Sequence, residues 1–149
     1  MPATGLNKAI LCMALVSATL LSAADPPPDV VEFFRSAAHA LSDANRQDSR
    51  VPIDPATFLS HFDSSMPGYA QLRSEIEDLV TRATIANEIE FVSDEGDENK
   101  RTLDLDWTLE IEGQRSRRAI LKCVVERSGG KKAKWKITAL SPIEFFKYE

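Results

Sequence analysis

Three side chains near the middle of the chain carry chemistry that catalysis could use. His61 and Asp63 flank Phe62, and Tyr69 follows six residues later. An imidazole, a carboxylate and a phenol at the mouth of one cavity would make an acid–base set, because proton transfer needs such groups within hydrogen-bond reach of a substrate. Asp63 also has a plainer use. It precedes a helical stretch and can cap that helix by accepting its first amides, which is the reading favoured here. His39 lies between Ala38 and Ala40 in an earlier helical stretch. To act as a base it would need an orienting carboxylate, and none is placed for it; it reads as a partly exposed helical histidine.

Other chemistries are poorly provided for. With two histidines and two cysteines in the chain, a zinc site has too few ligands of the usual kind. The acidic turn from Asp94 to Asn99 lacks the calcium-loop spacing and reads as a solvated hairpin. There is no glycine-rich phosphate loop and no G-x-S-x-G. Neither a metal nor a cofactor is expected. Arg115, Arg117, Arg118, Lys131, Lys132, Lys134 and Lys136 are basic, but they face acidic strands, so mutual neutralisation is expected rather than a phosphate site. The net charge of −5 argues against nucleic acid, which calls for a net basic face.

The leader bounds the compartment. Lys8 precedes the uncharged apolar run Ala9–Leu21, and Ser22-Ala23-Ala24 follows. Small residues at Ser22 and Ala24 fit a signal peptidase, which places the cut after Ala24. The run is shorter than the roughly 20 residues a spanning helix needs, so an exported domain without stable membrane insertion is expected. Loss of Lys8 makes the remaining chain one unit more negative. Of the two cysteines only Cys123 then remains, so no internal disulfide can form and packing must supply the stability.

Three amphipathic stretches come next. Asp25-Pro26-Pro27-Pro28 reads as a stiff leader, and the domain proper as 29–149. Asp29 with Glu32 reads as a capping box for a helix burying Val30, Phe34, Ala37, Ala38 and Leu41. Asn45–Val51 ends it. Asp54-Pro55 restarts a short helix around Phe58, Leu59 and Phe62. Pro67 opens a third, with Tyr69, Leu72, Ile76, Leu79, Val80 and Ala83 on one stripe.

After Thr84 the period changes to two. Ile85–Ser93 reads as a first strand. Leu103, Leu105, Trp107, Leu109 and Ile111 then alternate with Asp104, Asp106, Thr108 and Glu110, as a sheet with one packed face and one wet face requires. Ala119, Leu121, Cys123 and Val125 continue the inward face, followed by Trp135 and Ile137 in a fourth strand over Ala133–Leu140. A three-residue loop at Glu112–Gln114 sets Leu105 opposite Leu121, Trp107 opposite Ala119 and Asp104 opposite Lys122. Pairing Val125 with Trp135 would likewise set Glu126 opposite Lys134. Such facing charges support a sheet by about 0.2–1 kcal/mol each. The expected fold is α+β: N-terminal helices on a curved, four-stranded antiparallel meander. Asn87 is the one polar residue on an inward stripe. It cannot take a proton from carbon, and is expected to bond a buried backbone group or a water.

Phe33-Phe34 with Ala38 and Leu41, the segment Phe58–Asp63, and Lys134–Ile137 carry a resemblance to the nuclear transport factor 2-like (SnoaL-like) superfamily. It spans roughly the whole domain in length and element order. The resemblance implies a cone-shaped, cystatin-like roll that can hold a hydrophobic ligand, which here would touch Phe34, Tyr69, Asn87, Leu105, Trp107, Leu121 and Trp135. The superfamily includes ketosteroid isomerase, polyketide cyclases and dehydratases beside many non-catalytic domains, so fold alone does not choose. The inward positions lack a base, which favours an exported, non-catalytic domain that binds a small apolar ligand or a protein partner, with a homodimer through the sheet as one arrangement. The alternative is a small-molecule isomerase, dehydratase or cyclase using His61, Asp63 and Tyr69.

Overall fold

In a computed structural model, residues 25–45, 50 and 52–149 are described; the leader with its cleavage site, and most of the segment ending the first helix, lie outside them. Three helices, α1 (Pro28–Asp43), α2 (Ala56–Leu59) and α3 (Tyr69–Arg82), precede four strands, β1 (Ile85–Gly96), β2 (Lys100–Ile111), β3 (Arg117–Glu126) and β4 (Lys136–Ser141). The strands form one antiparallel meander in the order β1-β2-β3-β4. The expected α+β architecture is the observed one. No described helix is long and apolar enough to cross a membrane.

Alternation sets the faces. On β2, Leu103, Leu105, Trp107, Leu109 and Ile111 are buried while Asp104, Asp106 and Thr108 lie on the other side. The β2–β3 register is the expected one, with Leu105 opposite Leu121, Trp107 opposite Ala119 and Asp104 opposite Lys122. The inward face is filled. The Trp107 ring has no exposed surface and meets Phe146 edge-on at 5.2 Å between centroids, with Phe58 at 6.3 Å and Phe145 at 6.4 Å. The Ile143–Phe146 turn after β4 thus packs its Phe146 ring against Phe58 of α2.

Several local expectations give way. Val125 pairs with Ile137 and Glu126 with Lys136, two residues beyond the Trp135 and Lys134 partners expected. The connection folds a 3-10 turn at Gly130–Lys132, which consumes more chain than a tight hairpin would. A shift of two keeps every side chain on its own face, so Trp135 remains buried although it precedes β4. Strand β1 runs through Asp94 and Glu95, which were expected in the turn. Asp94 accepts two bonds at 2.8 Å from Arg101, which stands diagonally across the hairpin opposite Gly96.

The capping box at Asp29 is absent. Pro27 occupies the N-cap position of α1 without a side-chain cap bond, and Glu32 pairs instead with Arg35 at 2.6 Å. Pro26 is buried, so the proline segment packs on the domain instead of standing free. Ala40 replaces Ala38 in the buried stripe of α1. Helix α3 begins two residues after Pro67, because Gly68 adopts a left-handed conformation (φ 80°) that helical continuation excludes; a Cβ there would also meet the Ile143 side chain. Asp63 does not cap α3. Its carboxylate accepts the Ser65 amide at 2.8 Å and the Ser65 hydroxyl at 2.6 Å in a local turn.

Candidate binding groove

Helix α1 lies across the inner side of β1, and the two leave a groove open along the sheet edge. Its volume is about 340 Å³, and Phe34, Ala38, Asn87, Ile89 and Phe91 line it, with Arg35 and His39 on the helix side. Phe34 and Phe91 meet edge-on at 5.7 Å, giving the groove an aromatic floor. This floor exists because α1 presents Phe34 on its buried stripe while β1 turns its odd-numbered side chains inward.

Asn87 anchors the groove. Its amide nitrogen donates to the Ala38 carbonyl and to the Ser42 hydroxyl, both at 2.7 Å, and its oxygen accepts the Trp107 indole N–H at 3.0 Å. Both donors and the acceptor are therefore used within the fold, as expected for a polar side chain facing inward. The residue ties α1 to the core tryptophan and keeps no proton-transfer capacity of its own.

The three residues first singled out do not converge. His61 Nδ1 lies 3.0 Å from the Thr57 carbonyl and 3.1 Å from that of Phe58, so this nitrogen carries the proton. Nε2, 3.2 Å from Ser36 Oγ, then accepts the serine hydroxyl. The ring lies edge-on to Phe33 at 5.3 Å beside a second, more polar groove of about 580 Å³ that also touches Arg127, Lys134 and Trp135. Asp63 is spent on its turn, where the Ser65 hydroxyl and amide hold its carboxyl below the usual range. Tyr69 starts α3 and packs, half-buried, against the core. Of the residues expected to line a ligand pocket, Phe34 and Asn87 meet in the α1–β1 groove. Trp135 borders the polar groove, and Leu105, Trp107 and Leu121 have no exposed surface.

Two charged arrangements were missed. His39 does have a carboxylate beside it: its Nε2 lies 2.9 Å from Asp43 Oδ2, one helical turn on. The i,i+4 spacing of His39 and Asp43 was the available signal. Asp29 joins residues about a hundred positions away. Its Oδ2 accepts Arg127 Nη1 at 2.8 Å and Trp135 Nε1 at 3.1 Å, while the Arg127 guanidinium lies 4.2 Å above the Trp135 ring. Burial pushes the Asp29 carboxyl up, but the Trp135 and Arg127 bonds outweigh it and the net shift is downward. On the outer sheet face, Arg118 forks onto Asp106 and holds that carboxyl down. Among the described residues no group of His, Cys, Asp and Glu is placed to hold a metal ion.

No protein-family model matches the chain. No curated protein matches it either. Solved structures do. The Bdellovibrio bacteriovorus protein Bd1075 superposes with a TM-score of 0.60 at 13% identity over 76% of this chain, which spans 39% of that longer chain. A Nostoc punctiforme protein of unknown function with a cystatin-like fold gives 0.53 at 15% identity, covering 75% of this chain and 85% of that one. A Novosphingobium aromaticivorans protein, named as a candidate aromatic ring hydroxylase, gives 0.51 at 14% identity, covering 80% and 94%. At such identities the likeness is one of fold, and that fold is cystatin-like.

Proposed function

We propose that this chain is an exported, non-catalytic binding domain of the nuclear transport factor 2-like type, and that its α1–β1 groove takes an apolar group. One observation carries the reading. The inward-facing Asn87 is committed to Trp107, Ala38 and Ser42, and the space beneath the sheet is filled by aromatic rings, so no proton acceptor among the described residues faces an enclosed chamber. The α1–β1 groove has an aromatic floor of Phe34 and Phe91, and an apolar cleft with a few polar groups is the usual form of a small-molecule site. Export rests on the leader ending at Ala24, and the mass of the mature chain, beginning at Asp25, tests it. Nucleic acid and stable membrane insertion lie outside the proposal. A second copy against the outer sheet face, where Ile120 is 50% exposed, belongs to it and is tested by sedimentation.

The groove is tested by titrating the ¹⁵N-labelled protein with indole, a neutral aromatic probe. Amide shifts should concentrate at Phe34, Asn87, Ile89 and Phe91. Shifts confined to His61 and Trp135, or none at millimolar probe, would remove the reading.

The second reading, a small-molecule isomerase, dehydratase or cyclase, draws support from one observation. The His39–Asp43 pair stands at the rim of the groove, and a carboxylate-oriented imidazole beside an apolar floor is the arrangement a general base needs. Solvent–deuterium exchange into a panel of ketones, lost on His39→Ala, would support that reading; its absence favours the first.

A further inference from the structure

The groove borders the free edge of the sheet, and the two together define what kind of apolar group it takes. The Glu112 amide donates to the Thr84 carbonyl at 3.0 Å at the start of the β1–β2 ladder. In an antiparallel pair, bonded and non-bonded positions alternate. The register from Ile85↔Ile111 to Phe91↔Leu105 therefore turns the backbone groups of Ala86, Glu88 and Glu90 toward β2, and those of Ile85, Asn87, Ile89 and Phe91 toward the open side. Among the described residues no backbone group pairs with them there. The side chains of Asn87, Ile89 and Phe91 line the groove beside this row.

The charges on the other face are not balanced. Glu88 and Glu90 are exposed and form no salt bridge among the described residues; Arg118, which feels both carboxylates through space, is forked onto Asp106. On the helix side, Arg35 is paired with Glu32 and His39 with Asp43. A strand laid along β1 would thus drop alternate side chains onto Phe34, Ile89 and Phe91 and set the others beside the exposed carboxylates of Glu88 and Glu90.

We propose that the partner of the groove is an extended peptide segment whose apolar residues alternate with Lys or Arg, added to β1 as a fifth strand. The inference rests on the groove reading above and specifies its ligand. A second copy pairing through the same edge is disfavoured, because centring β1 on its own image at Ile89 would set Glu88 against Glu90.

The test uses the full chain and two blocked heptapeptides, Val-Lys-Leu-Arg-Val-Lys-Leu and its counterpart with Glu at each basic position. The basic peptide should bind about tenfold more tightly at low salt, slow the exchange of the Ile89 and Phe91 amides, and lose its preference in Glu88→Lys/Glu90→Lys, which should favour the acidic peptide. Both carboxylates are solvent-facing, so that variant keeps its fold. Equal binding of the two peptides, or slowed exchange at β4 instead, would overturn the proposal. So would edge-mediated self-association that neither peptide disturbs. If indole binds and neither peptide does, strand addition fails while the apolar groove stands; if none of the three binds, both fall.

Discussion

The two flanks of the sheet are finished in opposite ways. At β4 the edge is covered: Ile137 donates to the His61 carbonyl and accepts from the Asp63 amide, each at 2.8 Å, and Lys136 reaches the Ser60 carbonyl. The Asp29–Arg127–Trp135 clasp closes the same flank. At β1 no described residue covers the edge, and what guards it is charge and shape. Glu88 and Glu90 project beside it, and a bulge between Phe91 and Ser93 bends it. Charges and bulges are the usual means of discouraging indiscriminate edge pairing. A covered edge is structural, whereas a bare but guarded edge can still accept a partner that matches its charges.

The largest expected effect comes from opening the closed side. Trp107→Ala should cost about 3–5 kcal/mol in urea denaturation, since the ring is fully buried among Phe58, Phe145 and Phe146. A loss under about 1 kcal/mol would mean that the interior is not tightly filled, and the contrast between flanks would dissolve. Asn87→Leu strikes the joint between them. It leaves the buried Trp107 indole N–H without an acceptor and removes the second bond to the Ala38 carbonyl, for an expected loss of about 1–3 kcal/mol. Amide exchange in α1 should rise more than in α3.

Asp29→Asn sharpens the comparison through pH. The folded carboxyl is held below its ordinary value of about 3.9, so its stabilisation is present above that pH and fades as the pH falls through the lower, folded value. The side chain is 49% exposed, which limits the effect to under about 1 kcal/mol. Acid unfolding of the variant should be less steep below pH 4. An acid limb identical to that of the parent would show that the clasp contributes nothing. The smallest effect is on stability at the open edge: Glu88→Lys/Glu90→Lys should stay within about 0.5 kcal/mol of the parent. In the parent, the Ile89 amide should exchange far faster than that of Ile137. Equal protection would mean that β1 is covered after all.

Strand β2 shows what alternation can reveal. Five buried residues at every second position, with Asp104 facing Lys122 after a short loop, admit one register, and that register is observed. The β3–β4 pairing shows where alternation stops. Glu126 opposite Lys134 and Glu126 opposite Lys136 satisfy burial and charge equally, because a slip of two residues changes neither face. Only the 3-10 turn at Gly130–Lys132, a matter of local backbone preference, separates them. Asp29 fails for a different reason. A carboxylate at a helix start has a local use and a distant one, and spacing along the chain cannot reveal Arg127 and Trp135. The groove was half legible: Phe34 and Asn87 were named, but its other wall depends on which side of α1 faces the free edge of β1, a tertiary fact.

Cys123, on the inward face of β3, is wholly buried, and burial pushes its thiol far above the ordinary range. Only the thiolate is nucleophilic enough to attack a maleimide, so this sulfur should stay silent toward such reagents while the fold is intact. In a chain that begins at Asp25 and so lacks Cys12, a cysteine introduced at Ile120 or Val92, both exposed, would be the sole reactive handle. Dyes or spin labels could then report from two strands on the outer face of the sheet without altering the native residue.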